Sequence, residues 1–286
     1  MFCRKCGKEV DPNSNYCGSC GNKITNESNY NRGKYKVNNN MIQLEHDSGS
    51  TFLRKGFSEC TYENSNAMTF DGARSKIVLL VGILLVSMVC SLFLMATGGI
   101  RAIGPMMCIG FIVSTIVAFA TCFNPSKAKL FSIIYAISEG MALAGLSYLM
   151  ESEYPGVVFP AIIFTIAVVL AVTLIYNKIG NLSNRFISII SVATLGIAIG
   201  YGFMLLLSLF GVPMASTGNY SIVGIIISLI VIFVAAANLL LDYQFMKDAS
   251  KAGADKEMEW YAAFSALVTI IWVYVEILDL LGGLSN

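Results

Sequence analysis

The chain has 286 residues, 56% of them hydrophobic and 13% charged, with a mean hydropathy of +0.68. That excludes an ordinary soluble domain and indicates a polytopic membrane protein, with the lipid bilayer as its first partner. Residues 1–76 carry 11 Lys and Arg against 8 Asp and Glu, and residues 77–286 carry 8 against 10. Neither part has the strongly basic character of a nucleic-acid surface, so no nucleic acid is expected as a partner.

The chain opens with MFCRKCGKEVDPNSNYCGSCG, which is charged and Cys-rich and cannot form the apolar core of a secretory signal peptide. Cys3, Cys6, Cys17 and Cys20 form two CxxC knuckles ten residues apart, each followed by a glycine, Gly7 or Gly21, suited to a tight turn. Four thiolates at this spacing match tetrahedral Zn²⁺, so residues 1–23 are read as a zinc ribbon holding a structural Zn²⁺. A unit this small supplies no catalytic pocket; it is expected to be structural or to bind a protein partner. Residues 24–70 are rich in Asn, Ser and charge without a sustained apolar period and read as a flexible linker, in which His46 is a solvent-exposed residue. Cys60, Cys90, Cys108 and Cys122 are scattered and imply no disulfide framework.

Residues 71–286 form the membrane domain. Apolar stretches near 77–97, 103–123, 130–150, 157–176, 186–210, 220–241 and 260–281 are each about long enough to cross ~30 Å of hydrocarbon as a helix. The expected fold is therefore all-α, a seven-helix transmembrane bundle preceded by the four-cysteine zinc ribbon. Small residues in SEGMALAGLS (138–147) suit close helix packing in lipid. Lys and Arg alternate by loop: Arg74 and Lys76, Lys127 and Lys129, Lys178 and Arg185, then Lys247, Lys251 and Lys256 fall on one side. The other side carries Arg101, then Glu151 and Glu153, then the uncharged GVPMASTGNY. The positive-inside rule places the N-terminus in the cytoplasm and the C-terminus outside, across the cytoplasmic membrane.

Four carboxylates, Glu139, Asp242, Glu276 and Asp279, lie within or at the ends of apolar spans free of Lys and Arg. Ionisable groups in lipid are costly and mark ion or proton paths. At 1.5 Å per residue Glu139 lies ~14 Å into its span, near the midplane, Asp242 at the inner end of the sixth, and Glu276 ~24 Å from the inner face with Asp279 a turn beyond. An acidic interior without counter-charge either keeps its carboxylates protonated or recruits a cation, with H⁺ and Ca²⁺ the natural candidates. The plainer alternatives are an interfacial Asp242 and a headgroup-facing Glu276 and Asp279. Asn238 and Thr269 share helical faces with Asp242 and Glu276 and can line a path or simply bond between helices. No nucleophile triad, HExxH or phosphate-binding glycine motif appears, so no enzyme activity is expected.

MTFDGARSKI (68–77), SEGMALAG (138–145), YPGVV (154–158), NLLLDYQF (238–245) and above all MEWYAAFSALVTIIWVYVEILDLL (258–281) together resemble the Bax inhibitor-1-like family, bacterial branch. The resemblance implies seven helices with the last one central. It also implies, for some members, a pH-sensitive Ca²⁺ leak gated by two aspartates on the last two helices, and for bacterial relatives a link to regulation of a membrane protease. Asp242 matches the sixth-helix aspartate, with Asn238 the other choice, and the partner position falls on Thr269. Glu276, ~20 Å from Asp242 on this reckoning, does not replace it, so either Glu139 is the second carboxylate, which is the expectation, or the pH gate that the resemblance implies is altered in this chain. The expected function is a pH-sensitive cation (Ca²⁺) leak through Glu139 and Asp242, with Glu276 and Asp279 at the outer mouth. The rival is a membrane-anchored interaction protein working through its ribbon.

Overall fold

The computed structural model describes residues 67–98, 103–210 and 222–285. The ribbon cysteines Cys3, Cys6, Cys17 and Cys20, the linker through residue 66 with His46, Arg101 and the loop at 211–220 lie outside the described residues.

Among the described residues seven α-helices follow in chain order: α1 (Phe70–Gly98), α2 (Ile103–Phe123), α3 (Ala128–Glu153), α4 (Val158–Ile179), α5 (Asn184–Leu209), α6 (Ile222–Ala252) and α7 (Met258–Leu284), with a short 3₁₀ turn, Pro125–Lys127, before α3. All seven are long and apolar enough to cross a bilayer. Prolines do not interrupt them: Pro105 and Pro160 sit in first turns, where the missing N–H is no loss, and Pro125 and Pro155 lie between helices. Gly180 and Gly253, at φ +76° and +75°, end α4 and α6 in the left-handed region open to glycine and allow abrupt turns. The Ser183 side chain caps α5 by accepting from Phe186 N at 3.3 Å.

The helices overrun the apolar stretches that announce them. The span expected at 220–241 is a helix to Ala252, and the one expected from residue 77 starts at Phe70. The extensions carry Arg74, Lys76, Lys247 and Lys251, so the helices are not free of basic residues as the apolar runs were.

α7 is the most buried of the seven and α5 the least. α7 packs against α1, α3, α4 and α6, while α2 packs mainly on α3 and α5 mainly on α6. The last helix is thus central, as expected, with α1, α3, α4 and α6 packed most closely on it and α2 and α5 further out. Lipid provides no hydrophobic drive between helices, so close approach matters most. A Cβ on Gly140 of α3 would lie 2.7 Å from the Leu84 carbonyl oxygen of α1, and one on Gly110 of α2 2.7 Å from the Ala142 nitrogen of α3. Those glycines let backbones meet across α1, α3 and α2.

Residues 67–69, expected as the end of the linker, are docked. Met68 N donates to Ala254 O at 2.6 Å, Ser250 Oγ donates to Met68 O at 3.1 Å, and Ala67 bridges to Asp255. The entry to α1 is therefore tied to the α6–α7 loop.

Candidate functional site

Asp242 is 4% exposed and lies ten residues before the end of α6, ~15 Å in from that end. It is enclosed by the packed bundle, and α6 continues as a helix well past it. Its partners come from one face of α7: Ser265 Oγ donates to Oδ1 at 2.9 Å and Thr269 Oγ1 to Oδ2 at 2.7 Å. Ser265 and Thr269 are four residues apart, which stacks them on one helical face. Thr269 Oγ1 also lies 3.2 Å from Ser265 O, so its one proton has a second acceptor on its own helix. The position that the resemblance reserves for a partner aspartate is thus a hydroxyl in contact with Asp242.

Glu139 stands elsewhere. It lines a cavity of about 210 Å³ between α3 and α2 with Ser114, Thr115, Phe119 and Tyr135. Tyr135 then meets Phe264 of α7 edge-on, with ring centroids 5.0 Å apart. The structure does not bring Glu139 and Asp242 together: one faces α2, the other the Ser265–Thr269 face of α7. Asn238 donates to Thr194 Oγ1 of α5 at 2.5 Å and to Val234 O at 2.9 Å, so it joins α6 to α5.

Glu276 is 7% exposed and accepts through Oε1 from Tyr201 of α5 at 2.7 Å and from Trp272 Nε1 at 2.9 Å. Asp279 is half-buried about one turn further along α7. Since Asp242 lies level with Thr269, seven residues from Glu276, the two carboxylates are ~10 Å apart along the helix rather than ~20 Å.

The sequence reading passed over a fifth carboxylate. Glu259, in the first turn of α7, is fully buried. It accepts from Thr69 N at 2.9 Å and Thr69 Oγ1 at 3.0 Å, pairs with Lys76, and has Lys256 at 3.8 Å. Beside it, Lys76 and Lys129 lie over the Trp260 ring at 5.4 and 5.8 Å. The available signal was the joint presence of MTFDGARSKI and MEWY, two polar-flanked motifs at the same end of the bundle.

Among the described residues no group of three or more His, Cys, Asp or Glu side chains is placed to hold a metal ion, and every buried side-chain N or O has a hydrogen-bond partner. The bundle is thus a seven-helix membrane protein whose central helix meets carboxylates at three levels. A family model described as Bax inhibitor 1 like matches residues 22–286, and the chain belongs to that family. A second model, a zinc-ribbon domain, matches residues 2–24. No curated protein and no solved structure matches the chain.

Proposed function

We propose that the chain is a pH-sensitive cation leak, with Ca²⁺ as the transported ion, whose restriction is Asp242 with Ser265 and Thr269. The observation that carries this reading is a buried carboxylate ~15 Å from the helix end whose hydrogen-bond partners among the described residues are two neutral hydroxyls of the central helix. A buried charge in a membrane bundle without a cationic partner is costly and persists where it has a task. With both hydroxyls turned onto it, Asp242 clasps α6 to α7. If Thr269 turns to Ser265 O, Oδ2 is uncovered for a hard cation, which prefers oxygen donors. Protonation removes the negative charge, so cation entry falls as pH falls. Glu276 and Asp279 form the outer approach. Glu139, opening toward α2, is outside this restriction.

The four thiolates of Cys3, Cys6, Cys17 and Cys20 suit a structural Zn²⁺, which would stabilise the ribbon by crosslinking its two knuckles. With the N-terminus cytoplasmic, the ribbon is proposed as a docking module for a protein partner. That second reading rests on the zinc-ribbon match, and it is compatible with the first.

Ca²⁺ entry into proteoliposomes, measured from acidic to mildly alkaline pH, tests the leak. Wild type is expected to conduct more at higher pH, and Asp242→Asn to lose the pH dependence. Absence of flux from folded wild type at every pH rejects the leak and leaves the docking function.

A further inference from the structure

A cavity of about 370 Å³ lies between α1 and α4, floored by α7. The two walls pack on α7 rather than along each other, which leaves a lateral groove at bilayer depth. Its lining is almost wholly hydrocarbon, and its polar groups are already engaged. Thr165 Oγ1 donates to Ala161 O at 2.7 Å, Thr173 pairs with Val169 O at 2.8 Å and with the Tyr243 hydroxyl at 3.0 Å, and Tyr274 shares a hydrogen bond with Ser147 at 2.7 Å. Water or a hydrated ion therefore finds little to bond to along this wall.

Arg74 differs from the rest. It lines the groove at the Lys- and Arg-rich end of the bundle, with its guanidinium 5.7 Å from the centre of the Phe70 ring and 4.0 Å from Asp71. Asp71 is 94% exposed and Arg74 40%, so the pair is a loose surface contact and the cation faces the headgroup layer. From Arg74 to Met88 the α1 wall runs fourteen residues, ~21 Å. That length covers a headgroup and one leaflet of ~15 Å.

We infer that this groove binds one anionic phospholipid of the adjoining leaflet, its phosphate on Arg74 and an acyl chain between α1 and α4. An apolar body with an anionic head is the chemistry that a hydrocarbon slot ending in one guanidinium accepts. The groove floor includes Tyr243, next to Asp242, so a bound chain abuts the α6–α7 contact. The inference does not rest on the leak.

Native mass spectrometry of the full chain in detergent, titrated with phosphatidylglycerol or phosphatidylcholine, tests it. Wild type should retain one phosphatidylglycerol about fivefold better than phosphatidylcholine, the effect of one basic side chain at an anionic headgroup. Arg74→Gln should erase that preference. Leu170→Trp, at a wall position 58% exposed where the fold tolerates bulk, should lower retention of both lipids by filling the groove. Equal retention of the two lipids by wild type, or retention unchanged in both variants, overturns the inference.

Discussion

Asp242 and Glu259 are both buried carboxylates, one on α6 and one on α7, yet their surroundings differ in kind. Glu259 has an ammonium, Lys76, and two donors from Thr69, and it joins the start of α7 to the entry of α1. Asp242 has two neutral hydroxyls, one of which has another acceptor within reach. A carboxylate matched by a fixed cation is a structural tie. One matched only by rotatable hydroxyls can exchange a donor for a proton or a cation with little rearrangement.

The largest effect is expected from breaking the tie. Lys76→Met leaves Glu259 buried beside Thr69 and should cost about 3 kcal/mol, read as a lowered midpoint of thermal unfolding in detergent. Thr269→Val removes one of the two hydroxyls from Asp242 and should cost about 1.5–3 kcal/mol in the same assay at neutral pH, with a smaller cost at acidic pH where the carboxylate is neutral. Asp242→Asn keeps shape but turns one acceptor into a donor, which the Thr269 hydroxyl can meet by donating to Ser265 O instead; it should cost only about 1 kcal/mol while flattening the pH profile of flux. Glu139→Gln, on the α2 side, should change stability by less than about 1 kcal/mol and leave the pH profile in place. A flat profile in Glu139→Gln with a normal one in Asp242→Asn would reverse the assignment.

The helix count was legible because seven apolar runs long enough for lipid are a strong signal. The helix ends were not. α6 continues through DYQFMKDASK, a polar segment that hydropathy reads as loop but that packing on α7 and on residues 67–69 keeps helical. That overrun encloses Asp242 in the packed bundle, and its contact with Thr269 brings it to about half the expected distance from Glu276. The resemblance puts the partner position of Asp242 on Thr269 without implying that the hydroxyl bonds to the carboxylate, and Glu139 enters as its partner only as the remaining intramembrane carboxylate; α3 turns Glu139 toward α2. Glu259 escaped notice because its partner Thr69 is 190 positions away and its neighbour Trp260 reads as an interfacial aromatic.

Infrared difference spectra of the reconstituted protein across an acid step read the exchange at Asp242 most directly. A carboxylic-acid C=O band should appear on acidification, be lost in Asp242→Asn and survive in Glu139→Gln with only its own contribution removed. The same band at full strength in Asp242→Asn would show that Asp242 does not exchange protons in the folded bundle, and would contradict its role as the pH-responsive restriction.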